Sequence, residues 1–277
     1  MGCSTPEELF RDPTEPVMLR PRIIPCLLVH QGGLVKTTRF GDPKYVGDPL
    51  NAVRIFNEKQ VDELVVADID ATTHSRDPDY ELIADLASEC RMPLCYVGGV
   101  KNAEQCEKII SLGVEKVGIS NTAVESPELI SEAANRVGSQ SIVVVADVKK
   151  AGLFRRFEVF THNGRRATGL NPVDFVAQAV QAGAGEIIVN SIDHDGVMKG
   201  YCYELIDQLI DSVRVPFSVL GGAGSLADLE EAISRYGIIG AAAGSLFVFK
   251  GKYRAVLIQY PNAEEKSSIC DFESNPV

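Results

Sequence analysis

The sequence predicts an α/β fold, a single (β/α)8 barrel built from two half-barrel repeats. Three observations carry this. The chain has 277 residues, close to the ~250 that such a barrel uses as one domain. Eight short β-branched runs alternate with helical periods, which suits strands buried on both faces of a parallel sheet. The chain also resembles itself at an offset of 123 residues: Asp48-Pro49 matches Asn171-Pro172, Glu63 matches Glu186, Ile69-Asp70 matches Ile192-Asp193, Tyr80–Ile83 matches Tyr203–Ile206, and Gly98-Gly99 matches Gly221-Gly222. Each repeat spans four strand–helix units, and two such halves close one eight-stranded barrel; a doubly wound open sheet is the alternative for the same pattern.

Taken in order, residues 1–20 hold three prolines and no apolar period, and read as a flexible extension with Met18 as an alternative start. The opening Met-Gly-Cys-Ser-Thr-Pro fails the myristoylation pattern at Pro6. The barrel is expected over residues 21–261, with strands at Arg22–Leu28, Glu63–Ile69, Pro93–Val97, Lys116–Ser120, Ser141–Asp147, Glu186–Ser191, Phe217–Leu220 and Gly240–Ala243. Helix starts are marked by Asp48-Pro49 and Ser126-Pro127, each a cap followed by proline, and by Asn102 and Ser225. Two strand–helix loops are long. Val29–Gly47 carries Lys36, and Lys149–Leu170 carries Phe157–Phe160 followed by Asn163-Gly164, a hairpin signal. At a barrel mouth such loops are candidate lids, or else surface decoration. Residues 262–277 are polar and read as a tail.

Barrel chemistry sits at the C-terminal ends of the strands. Duplicated features fall there: Gly98-Gly99 and Gly221-Gly222 after the third and seventh strands, Ser120-Asn121 and Gly244-Ser245 after the fourth and eighth. Glycines admit backbone N–H groups close to an anion, so two cradles across one mouth suit a substrate with a phosphate at each end. The plainer reading is that Gly-Gly turns a corner.

Lys and Arg number 27 against 38 Asp and Glu, a net charge of −11 that would repel a phosphate backbone and argues against nucleic acid. No run of 18 apolar residues offers a membrane span. Seven scattered cysteines without CxxC point to a reducing cytoplasm with neither disulfide framework nor zinc site.

The stretches RIIPCLLV, DELVVADIDAT, GVEKVGIS, SQSIVVVADVK, GAGEIIVNSIDHDG and LGGAGS resemble the cyclase subunit of imidazole glycerol phosphate synthase, from about Arg22 to Phe249. The resemblance implies a duplicated barrel that needs no cofactor or metal. It would take ammonia from a glutaminase partner, pass it through its interior and add it to a phosphorylated ribulosyl substrate at the mouth. Of the family's two catalytic Asp positions, Asp147 matches one, whereas Leu28 stands at the other. Lys36, Asp68 and Asp195 remain as further catalytic candidates, and Asn190 and Gly196 join the substrate-binding set. Val97 and Leu220 also depart from the family before the two Gly-Gly pairs, and Ser120-Asn121 differs slightly. Arg22, Glu63, Lys116 and Glu186 match the family's salt-bridge gate at the ammonia entrance, with Glu115 on the glutaminase-contacting rim. By charge alone the four would equally form a neutral structural plug.

The loop GGLVKTTRFGDPKYVGDPLNAVRIFNEK resembles a paralogous branch associated with acetamidino groups on bacterial surface sugars, working with a glutaminase and a sugar amidotransferase. Three readings stay open: that paralogue, the histidine-pathway cyclase with a tolerated Leu28, and a non-catalytic ammonia conduit that activates the glutaminase. The pairs Asp68/Asp70 and Asp193/Asp195 are carboxylates of a kind that bind Mg²⁺, but alternate strand residues face opposite ways, so no metal is expected.

Overall fold

The computed structural model describes residues 20–271. Most of the expected N-terminal extension, with Met18, and the end of the expected tail lie outside the described residues. In chain order, β1 (Arg22–His30) runs into a hairpin of β2 (Gly33–Thr38) and β3 (Gly41–Gly47), followed by α1 (Pro49–Glu58). Then come β4 (Leu64–Asp68), α2 (Tyr80–Glu89), β5 (Leu94–Val97), α3 (Ala103–Ser111), β6 (Lys116–Ile119), α4 (Asn121–Glu125) and α5 (Glu128–Val137). The second half opens with β7 (Ile142–Ala151), which folds back through β8 (Arg156–Thr161) and β9 (Arg166–Ala167) before α6 (Pro172–Gln181). It continues through β10 (Glu186–Ser191), α7 (Tyr203–Leu209), β11 (Phe217–Leu220), α8 (Leu226–Tyr236), β12 (Gly240–Ala243) and α9 (Ser245–Val248). A small hairpin of β13 (Phe249–Lys250) and β14 (Ala255–Val256) and a final α10 (Ala263–Cys270) end the fold.

Eight strands pair in parallel in the order β1, β4, β5, β6, β7, β10, β11, β12, and β12 pairs back to β1. The ring is closed, which settles the barrel against the open sheet. The ring of eight has no open edge of its own. Period-two alternation sorts each strand's residues between two cores. On β1, Ile23 and Leu27 face the helices while Ile24 and Cys26 face the lumen; on β10, Ile187 and Val189 face out and Ile188 faces in. The lumen is apolar, filled by Ile24, Cys26, Val65, Cys95, Val143, Val145, Ile188 and Ala242.

The helix starts follow local chemistry. Asp48, Asn102 and Ser225 each accept a backbone N–H three residues on, at 2.9, 2.9 and 3.3 Å. At α5 the structure differs from the expected Ser126 cap. Pro127 itself occupies the cap position, and no side chain caps the helix. The segment expected as a polar tail also needs correction over its first half. Asn262 and Glu265 form a capping box that starts α10, Ile269 is buried, and Lys266 pairs with Asp62 at 2.7 Å. One buried apolar residue and one anchored cation dock a helix whose polar sequence masks it. Among the described residues no helix is long and apolar enough to cross a membrane.

The two long loops are hairpins related by the internal repeat. Arg39, at the tip of the first, donates from its backbone N–H to Asp195 O at 2.9 Å and from Nε to Asp193 O at 3.1 Å. Asn163, at the tip of the second, donates from Nδ2 to Ile69 O at 2.6 Å. Each hairpin thus reaches across the mouth to the loop after a strand of the opposite half.

Candidate active site at the barrel mouth

Strand register fixes which residues face one another. Leu28 pairs with Ala67 on β4, and Asp147 pairs with Asn190 on β10. Ala67 and Asn190 are themselves 123 residues apart, so Leu28 and Asp147 occupy equivalent places in the two halves. Their strands lie four apart in a ring of eight and so face one another across the mouth. Leu28, Val97 and Leu220 pack as an apolar group against the top of the lumen. Val97 fits because its partner across the sheet is Gly118, where a Cβ would come within 2.5 Å of Val97 Cγ2.

Asp147 is enclosed by protein with one edge open to the cavity. Its Oδ1 accepts from Asn190 Nδ2 at 3.0 Å and its Oδ2 faces the Ser120 hydroxyl at 3.4 Å. Burial disfavours the carboxylate, and Asp195 adds like-charge repulsion; these outweigh the two hydrogen bonds and push the pKa up to about 7. A group poised there exchanges protons in either direction near neutrality. Asp195, also raised by burial, accepts from Thr37 Oγ1 at 3.0 Å. Lys36 points inward from β2 and donates to the backbone carbonyl of Cys26. Asp68, raised by burial, instead accepts the backbone N–H groups of Asp70 and Ala71 at 2.9 and 3.1 Å, which makes it a loop brace as well as a cavity wall.

Of the expected anion-binding residues, Gly98, Gly99, Ser120, Asn121, Asn190, Gly244 and Ser245 line the same cavity as Asp147, Lys36, Asp68 and Asp195. Gly196, Gly221 and Gly222 do not line it. Backbone covers them: an added Cβ would meet Thr37 O at 2.1 Å from Gly196, Ser191 O at 2.6 Å from Gly221 and Gly200 O at 2.1 Å from Gly222. The first pair is as closely approached: a Cβ would meet Asp68 O at 2.6 Å from Gly98 and Arg76 O at 3.1 Å from Gly99. Both pairs let a neighbouring loop close down, with Gly200 N donating to Gly222 O at 3.0 Å in the second half, and the first pair also borders the cavity. Gly221 also makes room for Asn190, whose Oδ1 would lie 2.8 Å from a Cβ there. Sequence reasoning missed Thr37, Phe40, His162 and Asn163 as cavity walls. The Asn163-Gly164 hairpin signal placed a turn in that loop, but nothing in the sequence says where the tip lands.

The carboxylate pairs are engaged by other protein groups, with Arg76 Nη2 3.6 Å from Asp68 and 3.9 Å from Asp70. Asp70 accepts from Gln31 N at 2.8 Å and bonds His30 Nδ1 at 2.7 Å, and Asp193 accepts from Lys150 N at 3.1 Å. Among the described residues no group of three or more His, Cys, Asp or Glu is placed to hold a metal.

At the opposite end, the four charged residues meet beneath the lumen. Lys116 Nζ lies 2.8 Å from Glu63 and 2.7 Å from Glu186; Arg22 contacts Glu63 and lies 2.7 Å from Glu186. Ser218 donates to Glu186 Oε1 at 2.6 Å. Burial works against ionising Glu186, but Arg22 and Lys116 prevail and hold its pKa at about 2. Glu186 stays charged between the two cations. Glu115 accepts from Leu94 N at 2.7 Å, tying the start of β5 to the loop before β6.

The family model described as "Histidine biosynthesis protein" matches residues 22–254. A Leptospira interrogans protein provisionally named imidazole glycerol phosphate synthase subunit HisF is 56% identical over 252 residues, covering 91% of this chain and 99% of that one. A Vibrio vulnificus protein provisionally named subunit hisF3 is 54% identical over 249 residues, 90% of this chain and 96% of its own. A Pseudomonas aeruginosa protein provisionally named subunit hisF2 is 51% identical over 248 residues, 90% and 98% respectively. With the model covering the whole barrel and half or more of the residues shared along nearly the full length of these relatives, the chain belongs to the histidine biosynthesis protein family, among HisF-like imidazole glycerol phosphate synthase subunits.

Proposed function

We infer that the chain is an ammonia-using synthase subunit that receives ammonia from a glutaminase at the strand-start face and delivers it to a phosphorylated substrate at the mouth. We place it in the branch that serves acetamidino groups on surface sugars rather than in the histidine pathway. The observation that carries the second step is Leu28 in the place equivalent to Asp147. An entrance layer complete in all four charges beneath an apolar lumen supports the passage of a small neutral molecule. An apolar group where the second carboxylate belongs argues against the two-acid cyclisation. In this reading Arg22, Glu63, Lys116 and Glu186 gate the entrance. Asp147 moves protons, Asn190 and Ser120 orient it, and phosphates rest beside Gly98, Gly99, Ser120 and Asn121 and beside Gly244 and Ser245. A sugar amidotransferase takes the product onward.

Ammonium-supplied kinetics on the phosphoribulosyl substrate of the histidine pathway test the assignment, with and without a glutaminase subunit. Turnover at least ~10²-fold below that of a two-Asp enzyme is expected, since loss of one general acid or base costs ~10²–10⁴-fold. Robust cyclisation abolished by Asp147→Asn would instead place the chain in the histidine pathway, the reading that its relatives' names favour.

A further inference from the structure

The four most exposed large apolar side chains among the described residues all sit on hairpins at the mouth end: Leu153 at 92%, Tyr253 at 89%, Phe154 at 79% and Tyr45 at 67%. None belongs to the ring of eight strands. β7 runs four residues past Asp147, ~13 Å at ~3.3 Å per residue, before it turns, so Leu153 and Phe154 stand clear of the cavity. β13 and β14 follow Gly244-Ser245, and Arg254 Nη2 donates to Gly196 O at 3.4 Å, which holds the turn carrying Tyr253 at the loop after β10. Lys44 Nζ lies 5.2 Å from the centre of the Phe249 ring and sets Tyr45 beside the same hairpin. Leu153 and Phe154 thus rise from β7, and the two tyrosines from β1 and β12 on the other side of the ring. Charge follows the same boundary. Segments 31–47, 149–170 and 249–257 hold twelve Lys and Arg against two Asp and Glu, in a chain with 27 against 38. Lys150 and Arg166 pair with Glu204 and Glu125 of the chain itself, while Arg155, Arg156, Arg165 and Lys252 stay exposed.

We propose that the mouth-end hairpins are a docking surface for a second enzyme, one that presents an acidic face with apolar recesses and takes up what leaves the mouth. A basic rim alone would serve to draw in an anionic substrate. Steering gives no reason for bare Leu and Phe on one side of the mouth and bare Tyr on the other. Aromatic tips flanked by arginine have the composition that the buried centres of protein–protein contacts favour. Nucleic acid is disfavoured by the chain's net charge of −11. A bilayer resting on all three hairpins would shut the mouth to a phosphorylated substrate, whereas a protein can open onto it. The inference rests on the reading of the chain as an ammonia-delivering subunit. Ammonia released to neutral water takes up a proton and loses its free lone pair, so a partner seated over the mouth keeps it reactive. In that reading the partner is the sugar amidotransferase, and the rim is the surface that recognises it.

The test mixes the full chain, its glutaminase and the sugar amidotransferase of the same organism, all purified, and measures association by titration calorimetry at ~0.05 M and ~0.3 M sodium chloride. The amidotransferase is expected to bind, and to bind more weakly at the higher salt. Leu153→Ser with Phe154→Ser, and Tyr253→Ser with Lys252→Glu, should each weaken it at least ~10-fold. Glutaminase binding and melting curves should stay as in wild type. In the wild-type complex a carbodiimide, which joins lysine amines to carboxylates, should link Lys252 or Lys149 to acidic residues of the amidotransferase; this map decides the matter even if a variant fails to fold. No association, or association untouched by both variant pairs and linked only through lysines of the strand-start face, would overturn the proposal. So would rim-dependent pairing of the chain with itself, or rim-dependent binding to vesicles of phosphatidylglycerol in phosphatidylcholine, in place of the amidotransferase. Rim-dependent docking without any amidino product would leave the surface standing and remove the functional reading. Glutamine-driven product formed equally by wild type and both rim variants would remove the docking surface alone.

Discussion

Asp147→Asn swaps one carboxylate oxygen for an amide nitrogen and leaves both neighbours usable. Asn190 Nδ2 still donates to Oδ1, and the Ser120 hydroxyl turns to accept. What changes is the proton balance of folding. An aspartate in the unfolded chain titrates near ~3.9, whereas burial holds native Asp147 at about 7. Below the unfolded value both states are protonated and the group costs nothing. Between the two values only the native state keeps the proton, so this group's contribution to wild-type stability falls as pH rises, and above the folded value the full cost persists. The gap corresponds to ~4 kcal/mol at ~1.4 kcal/mol per pH unit, a ceiling. The open edge of Asp147 toward the cavity lets water screen it, which brings the expected cost to ~2 kcal/mol. The variant lacks this proton, and every other group cancels in the comparison. Urea unfolding of both proteins at pH 5 and pH 8.5 should therefore show the variant's advantage growing by ~1–2 kcal/mol toward the higher pH. An advantage that is flat, or that shrinks with pH, would refute the assignment of a buried, proton-holding Asp147.

Leu28→Asp restores a carboxylate opposite Asp147. Ammonium-dependent turnover of the histidine-pathway substrate should rise above wild type in steady-state kinetics, by less than the full ~10²–10⁴-fold because Val97 and Leu220 remain. Lys116→Ala leaves Glu63 and Glu186 with Arg22 as the one remaining cation of the four-residue layer. It should cost ~3–5 kcal/mol in denaturant unfolding and lower the coupling of glutamine hydrolysis to product, with ammonium-driven activity largely retained; an unchanged coupling ratio favours the structural plug. Ile269→Ala empties the buried contact of α10 and should cost ~2–4 kcal/mol by the same unfolding assay, whereas no change would mean that the helix adds nothing to the barrel.

The sequence by itself determined the strands, most caps and the twofold plan, because each is written in local terms. Apolar runs mark β10 and β11 to the residue, and Asp48, Asn102 and Ser225 act on N–H groups three positions away. Residue type and place at the strand starts also made the charged group of Arg22, Glu63, Lys116 and Glu186 legible, whereas reading Leu28 as standing at a catalytic Asp position rests on the family resemblance alone. Only the tertiary structure decided what those residues experience. Closure of β1 on β12 sets Leu28 and Asp147 on opposite sides of the mouth and lines the lumen between the charged layer and the mouth with apolar side chains. The same packing raises Asp147 to about 7 through burial and through Asp195, 48 residues away in sequence. It packs Gly222 against Gly200 and Gly99 against Ala71 and Arg76, and of these two glycines, alike in the repeat, Gly99 also borders the cavity. It also folds Lys36 inward onto Cys26 and pins each hairpin tip on the other half of the barrel. Burial, access and protonation depend on neighbours brought together from distant parts of the chain, and local sequence patterning does not encode them.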